Sequence, residues 1–112
     1  MQMVIAVLRP DKLDSVKEAL TKIGVTGMTV SQVMGFGSQR GWKEVYRGTE
    51  SAVKFLPKIK IEAVIADDIV EKVIKTICDT AQTGQIGDGK IFNFPISNAT
   101  RIRTCESGDA AI

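Results

Sequence analysis

Thr83-Gly84-Gln85-Ile86-Gly87-Asp88-Gly89-Lys90-Ile91-Phe92 packs three glycines and a lysine into one tight segment, with an apolar run directly behind it. Glycine tolerates positive φ and lets backbone N–H groups approach a ligand closely. A cluster of such N–H groups beside a lysine suits phosphate oxygens. Gly84-x4-Gly89-Lys90 comes close to a P-loop, but Ile91 stands where that motif needs a Ser or Thr to ligate magnesium. A P-loop also runs into a helix, whereas Ile91-Phe92-Asn93-Phe94 reads as a strand. The segment is therefore a phosphate-type loop between a helix and a strand.

The elements around it follow from periodicity. Residues 3–8 are nearly all apolar, as in a strand buried on both faces. Pro10-Asp11 opens a helix with Asp11 as N-cap; Leu13, Val16, Leu20 and Ile23 recur at helical spacing, and Gly24 stops it. Met28 to Met34 reads as a second strand. The run from Gly35 to Lys54 has no apolar period and is rich in glycine and charge, a long loop of the kind that usually carries function. From Phe55 onward, Ile59, Ile61, Ala63 and Ile65 alternate with Lys58, Lys60, Glu62 and Val64 as a half-buried strand. A second helix, capped by Asp67 or Asp68, turns Ile69, Val70, Val73, Ile74, Ile77, Cys78 and Ala81 inward and ends at Gly84. Strands at Ile91–Phe94 and Ala99–Thr104 complete the chain. The order is α+β, a ferredoxin-like βαββαβ domain spanning 1–112.

Composition narrows the chemistry. At 112 residues the chain builds one core. A formal net charge of +2 gives no electrostatic case for nucleic acid. No apolar run reaches the roughly 18 residues of a membrane span, and no signal-peptide pattern opens the sequence. Cys78 and Cys105 suggest neither a disulfide framework nor a zinc site, as expected of a cytoplasmic protein. There is no histidine, which removes His-based triads and His-ligated metals and moves the expectation from enzyme to binding protein.

Thr83–Phe92, Tyr46-Arg47-Gly48, Phe55-Leu56-Pro57-Lys58 and Arg101-Ile102-Arg103-Thr104 occur together in order. With Arg9-Pro10 and Lys12-Leu13 near the start and Asp109-Ala110-Ala111-Ile112 at the end, they make the whole chain resemble the PII signal-transduction proteins. The resemblance implies a non-enzymatic homotrimer with nucleotide sites between subunits. Such proteins bind ATP or ADP, and 2-oxoglutarate beside Mg2+-ATP. They act on Amt-type ammonium transporters or nitrogen-assimilation enzymes, reaching a membrane only through a transporter partner.

By position, the resemblance places Thr29, Gly35, Gly37, Ser38, Glu62, Gly87, Asp88, Gly89, Lys90, Arg101 and Arg103 around the nucleotide. It gives Gln39, Gly41, Lys58 and Gly87 to 2-oxoglutarate, and Gln39 to Mg2+ with the ATP phosphates. The partner-binding T-loop corresponds to about 36–54, with Trp42, Tyr46 and Arg47 as contacts; the phosphate loop is 83–90 and the C-terminal segment 101–112. On magnitude this suffices. Lys90, Arg101 and Arg103 face about four phosphate charges, each charge-assisted contact contributes about 1.5–3 kcal/mol, and micromolar affinity needs about 8 kcal/mol. Arg101 and Arg103, two apart on one strand face, can both point at one ligand. Cys78, on the apolar helix face, is expected in the core.

Departures from the family pattern carry their own expectations. Ser51 stands where many relatives have a nucleotidylated tyrosine, which excludes that modification and leaves Thr49 and Ser51 as hydroxyl modification candidates. Ser38 replaces an arginine that reaches toward the phosphates, and Trp42 and Lys54 are unusual in the T-loop. These motivate an alternative in which the protein senses adenine nucleotides without 2-oxoglutarate and serves another transporter or enzyme. A slow ATPase is a further alternative, for which the sequence offers no evident base to activate water.

Overall fold

The computed structural model describes residues 1–37 and 54–112. Its elements run β1 (Gln2–Leu8), α1 (Leu13–Lys22), β2 (Thr29–Gly35), β3 (Leu56–Ile65), α2 (Val70–Ala81) and β4 (Gly89–Pro95). The strands form one sheet in the order β2-β3-β1-β4, every neighbouring pair antiparallel. This is the ferredoxin-like arrangement expected from the element order.

The strand period of two sorts the residues onto two faces. Val4, Ala6 and Leu8 of β1 and Ile59, Ile61, Ala63 and Ile65 of β3 point to the helices and are buried. Val16 and Leu20 of α1, and Val70, Val73, Ile77 and Ala81 of α2, close over them. Each valine, leucine or isoleucine among them contributes about 1.5–3 kcal/mol on burial. Among the described residues the opposite face carries no helix. There Ile5 lies between Glu62 and Phe92, and Met3 between Val64 and Phe94. Phe92 and Phe94 are 52% and 45% exposed, so with Met3, Ile5 and Val64 they form an apolar patch on this uncovered face.

Helix α1 ends as its glycine predicts. Gly24 has φ of +99°, its N–H bonds the Thr21 carbonyl, and the Val25 N–H bonds the Leu20 carbonyl, the paired bonds of a Schellman cap.

Four local expectations are corrected. Asp11 does not cap α1, because Pro10–Lys12 forms a preceding 3-10 turn and no side chain bonds the helix N-terminus. Neither Asp67 nor Asp68 caps α2, for the same reason: Asp67–Ile69 is itself a 3-10 turn. Cys78 is exposed. The buried stripe of α2 runs Val70, Val73, Ile77, Ala81 and leaves Cys78 about 100° around from Ile77. The fourth correction concerns 99–104, which is not a strand. Thr100 makes one isolated bridge with Ser107, the Arg101 N–H bonds the Glu106 carbonyl, and the Cys105 N–H bonds the Arg101 carbonyl. The segment folds back on itself, which ends the extended run a strand would need.

Candidate functional site

The glycine loop is built around one carboxylate. Helix α2 ends at Ala81, and Asp88 bonds back to the residues that follow it. Its Oδ2 accepts the N–H of Thr83 at 2.7 Å and of Gly84 at 2.9 Å, and its Oδ1 accepts the Thr83 hydroxyl. The Thr83 hydroxyl oxygen in turn accepts the Gln85 N–H. Oδ1 also takes the Arg9 Nε–H at 3.0 Å, an ion pair joining the end of β1 to the loop. The Thr83 hydroxyl and N–H, helped by Arg9 and the Gly84 N–H, hold the Asp88 carboxyl well below the usual carboxylate range. Asp88 is therefore the loop's internal anchor. Its charge is offset by Arg9, which removes the repulsion a bare carboxylate would exert on phosphate.

Two cations grip the loop from the uncovered face of the sheet. Arg9 Nη2 donates to the Ile86 carbonyl at 3.0 Å, and Lys58 Nζ donates to the Gly87 carbonyl at 2.6 Å. Lys58 is 9% exposed. Its burial, and secondarily the Arg9 charge, lower its pKa from the ordinary lysine value, with Asp88 acting in the opposite sense. Lys58 faces Val33 across the β2–β3 pair and packs beside Gly35 at the end of β2.

The two glycines of the loop's second half differ in purpose. Gly87 has φ of +104° and lies in the loop. Gly89 has φ of +111°, pairs with Leu8, and a Cβ there would stand 1.8 Å from the Val7 carbonyl oxygen. Gly89 is thus required by the approach of β1, whatever it offers a ligand. Lys90, opposite Val7, is exposed and is the second residue of β4.

The remaining nominated residues fall elsewhere. Thr29 and Glu62 are register partners at the other end of β2–β3. With Arg101 they line a cleft of about 960 Å³, bounded also by Gly24–Met28 and the C-terminal Asp109, Ala111 and Ile112. Arg101 is engaged: Nη1 pairs with Glu106 and Nη2 donates to the Ala110 carbonyl at 2.9 Å. Because 101–104 is a turn, Arg101 and Arg103 do not share a strand face; Arg103 is exposed and makes no hydrogen bond among the described residues. Asp88, Gly89 and Lys90 line a different cavity, about 330 Å³, between β1, β4 and the end of α2. The two sets share neither cavity. Gly37 is exposed. Ser38, Gln39, Gly41, Trp42, Tyr46, Arg47, Thr49 and Ser51 lie outside the described residues, and with them the expected metal contact. Among the described residues no cluster of carboxylates or cysteines could hold a metal.

Comparison with known proteins gives this fold and sequence a family. The family model described as "Nitrogen regulatory protein P-II" matches residues 1–106. The chain belongs to the P-II nitrogen regulatory protein family. It is 57% identical to the nitrogen regulatory protein P-II of Klebsiella oxytoca and to P-II 1 of Escherichia coli, each over the full length of both chains. To the P-II protein of Rhizobium etli it is 53% identical, again over both whole chains. The crystal structure of Arabidopsis thaliana PII bound to citrate superposes with a TM-score of 0.82 at 45% identity, covering 99% of this chain and 91% of that one. P-II proteins are signalling proteins of nitrogen regulation and not enzymes, as the absence of histidine led one to expect.

Arg9 and Glu106 were given no role in the site by the sequence. Arg9 and Asp88 are 79 positions apart, and only the pairing of β1 with β4 brings them together. A weak signal existed in the arginine that directly follows a buried strand and precedes Pro10.

Proposed function

We propose that this protein is a homotrimeric sensor of ATP or ADP and of 2-oxoglutarate with Mg2+. It passes their levels to an Amt-type ammonium transporter or a nitrogen-assimilation enzyme through the segment at about 36–54. The observation that carries this reading is the split site. Thr29, Glu62 and Arg101 line one cleft, whereas Asp88, Gly89 and Lys90 line another and Lys58 is bonded to the Gly87 carbonyl. A nucleotide site using both sets is completed when one subunit's cleft meets the glycine loop of another. The uncovered face with Met3, Ile5, Val64, Phe92 and Phe94 supports self-association, since an exposed apolar sheet face of this kind marks an interaction surface. Lys58, with two donors beyond the one given to Gly87, is suited to a carboxylate of 2-oxoglutarate. The similarity to a citrate-bound PII supports a small polycarboxylate as one effector class.

The protein acts in the cytoplasm in this reading; among the described residues no helix is long and apolar enough to cross a membrane. Sedimentation equilibrium combined with calorimetry tests the proposal. A trimer that binds ATP and ADP, and 2-oxoglutarate only with Mg2+-ATP, is expected. A monomer that binds no nucleotide stands against it, and a trimer that binds nucleotide but no 2-oxoglutarate selects the adenine-nucleotide sensor instead.

A further inference from the structure

The backbone of the glycine loop is oriented by a residue to which neither the sequence motifs nor the comparisons give a role. Arg9 Nη2 holds the Ile86 carbonyl and Lys58 holds the Gly87 carbonyl, both from the side of the uncovered sheet face. In a trans peptide the C=O of one residue and the N–H of the next point in opposite directions, and no peptide among the described residues is cis. Pulling the Ile86 and Gly87 carbonyls toward these cations therefore turns the N–H groups of Gly87 and Asp88 away from them. The earlier N–H groups of the loop are spent internally: Thr83 and Gly84 on Asp88, Gln85 on the Thr83 hydroxyl. Among the described residues, the N–H groups of Gly87 and Asp88 have no acceptor. Two adjacent free N–H groups of this kind form a small anion-binding concavity.

We propose that Arg9 is a positioning residue. By clamping Asp88 and the Ile86 carbonyl together it presents the Gly87 and Asp88 N–H groups to the phosphates of an adenine nucleotide, without touching the nucleotide itself. The fork matters: Nε serves Asp88 while Nη2 serves Ile86, a geometry a lysine ammonium lacks. This rests on the reading of the loop as a phosphate-binding wall.

The test is calorimetric titration with ADP of the wild type, Arg9→Gln, Asp88→Asn, the double variant and Lys90→Ala. Amide 1H–15N shifts of Gly87 and Asp88 are followed in parallel with thermal unfolding. Losing one charge-assisted clamp should weaken ADP binding by about tenfold in Arg9→Gln. At saturating ADP the Gly87 and Asp88 amides should shift less in Arg9→Gln than in the wild type. The double variant should lose less affinity than the two single losses combined, because both changes act on one clamp. Additive losses would make Arg9 a direct ligand contact and overturn the proposal. ADP binding by Arg9→Gln within twofold of wild type, with Lys90→Ala impaired, overturns the role of Arg9 and leaves the site reading intact. Unimpaired binding by Lys90→Ala removes the site reading and the proposal together. If Arg9→Gln does not fold, Arg9→Lys decides: about threefold weaker binding supports the clamp, unchanged binding refutes it.

Discussion

Gly89 faces the carbonyl oxygen of Val7 so closely that a Cβ would lie 1.8 Å from it, and its φ is +111°. Both facts sit at the first pair of the β1–β4 ladder, Leu8 with Gly89, where the loop becomes a strand. A side chain there must push β1 and β4 apart. Gly89→Ala is expected to cost more than about 3 kcal/mol, combining a backbone clash with the left-handed penalty. Urea unfolding measures it. A loss under about 1 kcal/mol would show that the two strands can separate locally at little cost.

Asp88 supplies a pH signature. Its carboxyl is held well below the ordinary range by Thr83, with Arg9 and Gly84 contributing. A depressed native pKa gives stability that is fully present above the unfolded value of about 4 and is lost as pH falls toward the native value. Asp88→Asn should therefore be less stable than wild type at pH 7, and the gap should shrink as pH drops below about 4. Thermal unfolding from pH 7 to pH 2 reads it. A gap constant with pH would assign the difference to packing.

Lys58 links the sheet to the loop by its bond to the Gly87 carbonyl. If it also holds a dicarboxylate, Lys58→Ala should abolish 2-oxoglutarate binding while weakening ATP binding by no more than about fivefold, since only one neutral loop contact is lost. Calorimetry with Mg2+-ATP, then 2-oxoglutarate, separates the two. Equal losses would place Lys58 in the nucleotide site.

Arg101 is engaged by Glu106 and the Ala110 carbonyl. A phosphate seeking that guanidinium competes with an exposed ion pair worth about 0.2–1 kcal/mol. Glu106→Gln should then tighten ATP binding by about two- to fivefold, as measured by titration. Weaker binding would instead make Glu106 the group that orients Arg101 for its ligand.

Sequence periodicity was sufficient for the β1–α1–β2–β3–α2–β4 order and for most of the buried set, Cys78 excepted, because apolar spacing is imposed by the local geometry of helix and strand. It misjudged residues whose partners are local competitors. Asp11, Asp67 and Asp68 each have the chemistry of a cap, but a 3-10 turn takes up the helix entry in both places. Thr100–Ser107 has strand-forming residues and closes on itself through Cys105, the one non-glycine residue among those described with positive φ.

By itself the sequence determined the family, the sheet and the glycine loop as a ligand-type segment, since separated motifs in fixed order and strong periodicity do not depend on long-range contacts. Only the tertiary structure decided what each loop residue does. Asp88 became an anchor, Gly89 a spacer against Val7 and Arg9 the clamp because antiparallel pairing of β1 with β4 brings residues some eighty positions apart into one ladder. The same folding separated Thr29, Glu62 and Arg101 from Gly87–Lys90. That separation follows from the ladder as well: antiparallel register fixes which ends of two strands meet, and a linear sequence carries no record of which end a distant residue will join.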